Sequence, residues 1–486
     1  MKNLLVTILA LLILTIFGCE REISVSPPDE PPPEGFLFIN SNPDKALIFL
    51  NGKDRRRFTP DSITWLESGE YSVTLKKEYY LDTTFLVNAM EGEKHKYLIN
   101  YLDDPRMLGS IDCSSNPEKA KIFLDDSLTG KVSPYTFNNL TPGLHKIKYT
   151  LEDHEKVEAD IIVKSSEITY VSLTLLDTTL WRHYTKDNSG LQVNELTCID
   201  IDEENNIWIG SQIRGVFIYN TNEKVWNTMR GSNSDLPHDS ITDIEIDPVS
   251  PGTIYIGTKS GLLQLNPDLV FNNKSSPLTS LEITKVKIRS KFGIYIGTTE
   301  ELALYQPLSA KEWSIYNSAN TPMKNSHITS IDIAYGIRWL GTPAGIVGFD
   351  LSEWKFFSAS EYHLPGNFIS ASAVDKNENV WFAHNPSAAR GGGLSYYDGT
   401  QFNLFYTELL NDKINSIFVD SKNNKWIASN KKLMKILPDN LNYEIFNFET
   451  VGLDFSNSTD VVEDSEGNIW ITTNGNGLIK YMGKNK

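Results

Sequence analysis

The feature that most constrains this chain is a short apolar–aromatic run that returns seven times in its C-terminal part. The runs are Ile207-Trp208-Ile209-Gly210, Ile254-Tyr255-Ile256-Gly257, Ile294-Tyr295-Ile296-Gly297, Arg338-Trp339-Leu340-Gly341, Val380-Trp381-Phe382-Ala383, Lys425-Trp426-Ile427-Ala428 and Ile469-Trp470-Ile471-Thr472. Their aromatic residues fall 40 to 47 positions apart. A unit of that length, cut by Gly, Asn and Asp into short apolar pieces, holds several strands and cannot bury its own apolar face. Stacking such units in a ring does bury it, so the period predicts a β-propeller with one four-stranded blade per repeat. Seven triplets predict seven blades.

The order inside a unit is also legible. An inner strand such as Leu196 to Ile201 precedes the triplet, a third strand such as Gly215 to Tyr219 follows, and an outer strand lies near Trp226. Later outer strands are expected near Phe271, Trp313, Trp354, Phe402 and Tyr443. The seventh unit reaches its third strand at Gly477 to Tyr481 without an outer strand, while Trp181-Arg182-His183-Tyr184 has the outer-strand pattern without a unit. Segment 181–185 is therefore expected to complete blade seven, which removes the open sheet edges a linear array would expose. Nine of the ten Trp fall at triplet or outer-strand positions of this array, so the aromatic content belongs to the repeat.

Gly190-Leu191 to Asn194 with Asp202 and Trp208, Leu364-Pro365-Gly366-Asn367 with Asp375 and Trp381, and Gly391-Gly392-Gly393-Leu394 to Tyr397 follow one pattern. It resembles the unit of the two-component regulator propeller family. That resemblance implies an extracytoplasmic sensor part, with a separate histidine kinase as partner.

Upstream, a constant offset of 74 relates Ser41-Asn42-Pro43 to Ser115-Asn116-Pro117, Ile48-Phe49-Leu50 to Ile122-Phe123-Leu124, and Thr59-Pro60 to Ser133-Pro134. This is a tandem duplication. Strands are expected at Phe36 to Ile39, Ala46 to Leu50, Tyr71 to Leu75 and Tyr97 to Ile99, and at the matching positions of the second copy. Lys53 and Arg55-Arg56-Arg57 are expected to form a basic hairpin tip. The copies resemble the PEGA domain, which implies small β-sandwiches acting as spacer or interaction units. The fold class expected is all-β: two small tandem β-sandwich (PEGA-like) domains at 36–103 and 108–177, then a seven-bladed β-propeller at 180–486.

Residues 1–18 combine Lys2 with an apolar run from Leu4 to Phe17, too short to span a bilayer and suited to a secretory signal. The run ends in Ile16-Phe17-Gly18-Cys19, which resembles a bacterial lipoprotein signal. The resemblance implies lipidation at Cys19 and residence in the cell envelope, anchored to a membrane. Residues 19–35 carry Pro27, Pro28, Pro31, Pro32 and Pro33 and read as a stiff tether.

Acidic residues outnumber basic ones 62 to 45, giving a net charge of −17, which argues against nucleic acid as a partner. Three Cys exclude a disulfide scaffold, and Cys113 and Cys198 read as small buried residues. Asp202, Asp375, Asp420 and Asp464 each stand six residues before a triplet Trp; recurring blade after blade, they read as turn residues and not calcium ligands. No metal site, cofactor or catalytic set is expected. His238 and His327 precede inner strands, and His384 and Arg390 lie in the loop after a triplet strand. These four are the candidate binding residues of one propeller face. The function expected is that of a non-catalytic envelope lipoprotein whose propeller face binds a protein or glycan, as scaffold or sensor component. The alternative is a propeller lyase or hydrolase acting on polysaccharide, with the same four residues in catalysis.

Overall fold

The structure, a computed structural model, describes residues 35–483 except 248–249, 267–268, 272–275, 291–292, 351–352, 389–390 and 406–410. The leader, Cys19 and the tether through residue 34 lie outside the described residues. Strands supply nearly all the regular structure, and helix is confined to single turns such as Ala359–Tyr362 and Phe448–Val451.

The two N-terminal copies share one topology. In the first, Lys53–Phe58, Leu47–Leu50, Gly69–Lys76 and Thr83–Ala89 form a four-stranded sheet, in that order. Asp61–Leu66, Gly35–Asn42 and Lys94–Asn100 form a three-stranded one, whose last two strands run parallel. The second copy repeats both sheets with Ser127–Val132, Lys121–Leu124, Gly143–Thr150 and Val157–Val163, and with Tyr135–Leu140, Gly109–Asn116 and Ile168–Thr174. Alternation along Gly35–Asn42 turns Leu37 and Ile39 inward, where Ile48, Val73 and Leu75 meet them.

The duplicated signature has a polar cause. Buried Ser41 Oγ bonds Thr59 Oγ1, which also accepts from Ala46 N; Ser115, Ser133 and Ala120 repeat the arrangement. Each copy holds seven strands where four were expected. The missed ones are all edge strands with a single partner, and in Lys53–Phe58 and Ser127–Val132 nearly every side chain is exposed. The basic segment is one of them: Lys53–Phe58 is not a hairpin tip but a fully exposed edge strand. Its charges blunt an edge that would otherwise template pairing.

Among the described residues, the rest of the chain forms seven four-stranded antiparallel sheets in a propeller-like arrangement. Their first strands are Leu196–Ile201, Ile241–Ile246, Ile283–Ser290, Ser330–Ala334, Ile369–Val374, Ile414–Val419 and Ser458–Glu463. Each packs against the next, and the last against the first, so the sheets follow one another in a cycle. The triplet strands come second in each sheet and are buried almost throughout, covered by neighbouring sheets on both faces. Trp181–Tyr184 pairs antiparallel with Leu478–Tyr481, joining the two ends of this region in one sheet.

The recurrent Asp residues lock the turn between the first two strands. Asp420 Oδ1 accepts from Lys422 N and Asn424 N at 2.9 and 2.8 Å, while Oδ2 accepts from Trp426 Nε1 at 2.9 Å. Asp202, Asp375 and Asp464 hold the indoles of Trp208, Trp381 and Trp470 in the same way. In the fourth sheet a tight turn through Tyr335 (φ 54°) and Gly336 (φ 72°) replaces the longer loop. It carries no Asp, and Trp339 Nε1 is buried without a partner.

Candidate functional site: the central channel and its mouth

Because the seven first strands share one register against their triplet strands, each sheet places the same position at the same depth. All seven line a central channel of about 250 Å³. Its walls carry Asp200, Asp243, Glu245, Asp332 and Asp460 against two cations, Lys285 and Lys287. Lys285 Nζ lies 2.7 Å from Asp243 Oδ1, and Lys287 Nζ lies 3.2 Å from Glu245 Oε1. Both lysines stand deep in the molecule, yet 36% of each side chain is open to the channel. The remaining carboxylates are held by neighbours: Asp460 Oδ1 accepts from Ser416 Oγ at 2.7 Å, and Asp332 Oδ2 from Ser372 Oγ at 2.5 Å. Asp200 accepts from Ile201 N and Ile246 N, both at 2.8 Å.

Electrostatics follow from that imbalance. Burial, reinforced by the Glu245 carboxylate, pushes Asp200 up to about 8, so it holds a proton at neutral pH. Burial also raises Glu245, Asp332 and Asp460. It works against the Lys285 ammonium, but Asp243 and Asp460 outweigh it and keep that group charged. Besides the protonated Asp200, four carboxyl groups face two lysines, so the channel keeps an excess of acidic groups. Among the described residues no group of three or more His, Cys, Asp or Glu is arranged to hold a metal ion.

One step toward the loop face, the register places Thr197, Thr242, Thr284, Thr329, Ser370, Asn415 and Thr459 in a polar ring. The first six line a bowl of about 580 Å³ at the channel mouth, together with Phe368, Asn385 and His327. Lys259, Glu282, Gln212 and Lys413 stand on its rim. The ring escaped the sequence reading because a Thr or Ser at a strand start looks like ordinary edge polarity. Aligning the repeats on their aromatic residue and reading three positions back from its strand partner would have exposed it.

The four expected binding residues do not converge. His327 lines the bowl, half-buried, and burial lowers its pKa. His238 is exposed and accepts from Ser240 N through Nδ1 at 2.8 Å, outside the bowl's lining. His384 is not in a loop. It ends the strand Val380–His384 and is fully buried, its Nδ1–H donating to Gly366 O at 2.6 Å and its Nε2 accepting from Ser395 Oγ at 2.7 Å. Burial holds it down to about 4. Both ring nitrogens are engaged and none of the ring is exposed, so it braces the strand end and offers a ligand nothing. Arg390 lies outside the described residues. Cys113 and Cys198 are buried free thiols.

Residues 34–100 and 108–179 match the model of the PEGA domain, and residues 452–475 match that of the two component regulator propeller. No curated protein matches the chain. Similar solved structures include the extracellular domain described as that of the hybrid two component system BT3049 from B. thetaiotaomicron, at 20% identity and a TM-score of 0.52. The match covers 62% of this chain and 41% of that one. The corresponding domain of BT4673 from the same organism is 18% identical, with a TM-score of 0.50 and coverage of 62% and 39%. The chain therefore spans about two fifths of the length of these structures. Virginiamycin B lyase from Staphylococcus aureus matches equally well in fold, with a TM-score of 0.50 at 11% identity, over 62% of this chain and 98% of that one. An extracellular domain of a two component system and a lyase are thus about equally near, and the likeness speaks for the fold alone. The chain is thus similar to the PEGA domain over two successive segments and to the two component regulator propeller over a third, in an all-β, propeller-like fold.

Proposed function

We propose that the chain is a non-catalytic cell-envelope lipoprotein whose propeller face binds a protein or glycan, as a scaffold or as the extracytoplasmic part of a sensor. In this reading Cys19 carries the lipid, residues 19–35 are the tether, and 36–103 and 108–177 are tandem sandwich spacers. Residues 180–486 form a seven-bladed propeller closed by the segment 181–185. The observation that carries the reading is the polar bowl at the channel mouth. It is open, it draws on six of the seven sheets, and its rim charges are mixed and unpaired with any nucleophile or metal cluster among the described residues. A binding surface needs such complementarity; an acid–base catalyst needs converging titratable groups at hydrogen-bond distance. Any signalling runs through a separate histidine kinase.

In-cell photo-crosslinking from exposed Gln212 or Ile213, beside the bowl, followed by mass spectrometry, tests this directly. Recovery of a kinase supports sensing, and recovery of an envelope assembly protein supports scaffolding. Turnover of envelope polysaccharide by the purified chain would overturn the non-catalytic reading. Separately, Cys19→Ala is expected to abolish labelling by a fatty-acid probe and to release the protein from the membrane fraction.

A further inference from the structure

We infer that one edge of the first N-terminal copy, built from Lys53–Phe58 and Asp61–Leu66, lies against an anionic lipid surface. The inference rests on the reading that Cys19 anchors the chain to a membrane, and it names the side chains that meet that membrane. Every residue of Lys53–Phe58 is exposed, and the strand gathers Lys53, Arg55, Arg56 and Arg57 in a chain whose net charge is −17. Among the described residues only Arg57 of these four has a carboxylate partner, Asp61 at 3.2 Å. The second copy, 74 residues on, has Ser127, Thr129, Gly130 and Lys131 at the same places, so the concentration of charge belongs to the first copy alone.

Two positions on this edge carry residues that suit their backbone poorly. Arg56 (φ 53°) and Trp65 (φ 65°) are left-handed where the second copy has Gly130 (φ 72°) and Asn139 (φ 58°), the residue types that take this conformation most easily. Packing does not offset the strain: Trp65 is 66% exposed, and Phe58 on the same edge is 56% exposed. Arg57 Nη1 donates to Asp61 Oδ2 and to Ser62 O, so the two strands run side by side in opposite directions, with Lys53 and Arg55 toward the Trp65 end. Exposed rings beside unpaired cations fit a lipid headgroup layer, where aromatic side chains settle and each Lys or Arg is drawn to anionic lipid. The course of the chain points the same way. Gly35 pairs with Leu66, next to Trp65, so the segment from Cys19 enters the domain at this edge. Its fifteen residues, 20–34, reach at most about 50 Å, which keeps the edge close to whatever surface holds Cys19.

Trp65 is the one tryptophan outside the ring, so it reports on this edge. The test is fluorescence of the full chain on phosphatidylglycerol vesicles containing brominated lipid, whose bromines quench a tryptophan in contact with the bilayer. Quenching is expected in the wild type and its loss in Trp65→Phe. It is expected to fall by about half or more on phosphatidylcholine vesicles and in the variant Lys53→Gln/Arg55→Gln/Arg56→Gly. That variant is expected to melt at an unchanged or higher temperature, because glycine suits the left-handed position and the glutamines replace exposed, unpaired cations. Vesicle-bound chain without Trp65 quenching, or quenching indifferent to lipid charge and to the triple variant, overturns the inference and leaves the anchor reading standing. Quenching that persists in Cys19→Ala, with no fatty-acid label on the wild type, would uphold the lipid-facing edge and overturn the anchor. A chain that does not sediment with the vesicles at all would remove both.

Discussion

At the scale of single residues, in four of the seven repeats one carboxylate holds together a turn, two strands and an indole. Asp420 is 4% exposed and serves two main-chain N–H groups, the Asn424 amide at 2.7 Å and the Trp426 indole. Asp420→Ala strands those donors in a buried place, at roughly 1–3 kcal/mol for each one that water cannot reach. A loss of about 3 kcal/mol or more in urea unfolding is expected, with Asp420→Asn intermediate because its amide nitrogen faces the indole N–H. The recurrence of this Asp was legible in the sequence, and so was its turn role. Its indole partner was not, because a hairpin loop hides which side chain six residues on folds back toward it. His384 shows the opposite failure: a titratable residue before a Gly-rich loop reads as surface chemistry, while its strand register buries it. Its ordinary value of 6.5 falls to about 4 in the folded chain. Below pH 6.5 the unfolded chain takes up a proton that the folded one refuses, so this residue removes stability progressively from pH 6.5 down to pH 4. The raised channel carboxylates act in the opposite direction, so the comparison must be between variants. His384→Gln is expected to flatten the acid limb of the stability curve relative to wild type, by about 1 kcal/mol per pH unit, measured by denaturant unfolding between pH 7 and 4.5.

At the scale of elements, the triplet strand explains why the repeat ends in a small residue. A Cβ on Gly341 would lie 2.5 Å from Ser330 Oγ and 2.7 Å from Ile369 Cγ2, the latter on the first strand of the next sheet. Gly257 and Gly297 meet Ile283 and Ile328 of their next sheets at 2.9 Å. The position is therefore where one sheet's second strand touches its neighbour's first. Gly341→Ala is expected to lower stability by about 1–3 kcal/mol through overpacking, seen as a lower urea midpoint with an unchanged slope. A similar substitution at Gly69, where a Cβ would meet nothing within 4 Å, is expected to be nearly neutral. Strands that face two neighbours announced themselves as continuous apolar runs, which is why the repeat could be counted. The extra strands of the N-terminal copies lie at sheet edges, and in Lys53–Phe58 every side chain is exposed, which leaves no periodicity to find there.

At the scale of the whole molecule, the second N-terminal copy and the ring meet without a flexible linker. Leu176 is buried in one cluster with Trp181, Trp426, Leu453 and Phe455, all from the ring. Glu449 O accepts from Asn116 Nδ2 at 3.3 Å and from Thr174 Oγ1 at 3.1 Å, and Thr178 N donates back to Asp153 O at 2.8 Å. Trp181 N then reaches Asp177 O at 3.0 Å, so the chain turns from one unit into the closing sheet within a few bonded residues. The cluster contains both strands of the closing pair, through Trp181 and Ile479. A cavity at Leu176 therefore weakens the point where the sheets of the ring join. Leu176→Ala is expected to cost about 2–5 kcal/mol and to destabilise the ring together with the second copy, as one transition in calorimetry and with new protease cleavage near the closing strand. A transition that splits, with the ring melting at its original temperature, would mean that the copy is only a passenger on the ring. A single lowered transition would mean that the second copy and the ring unfold as one cooperative unit, held together by the buried cluster around Leu176.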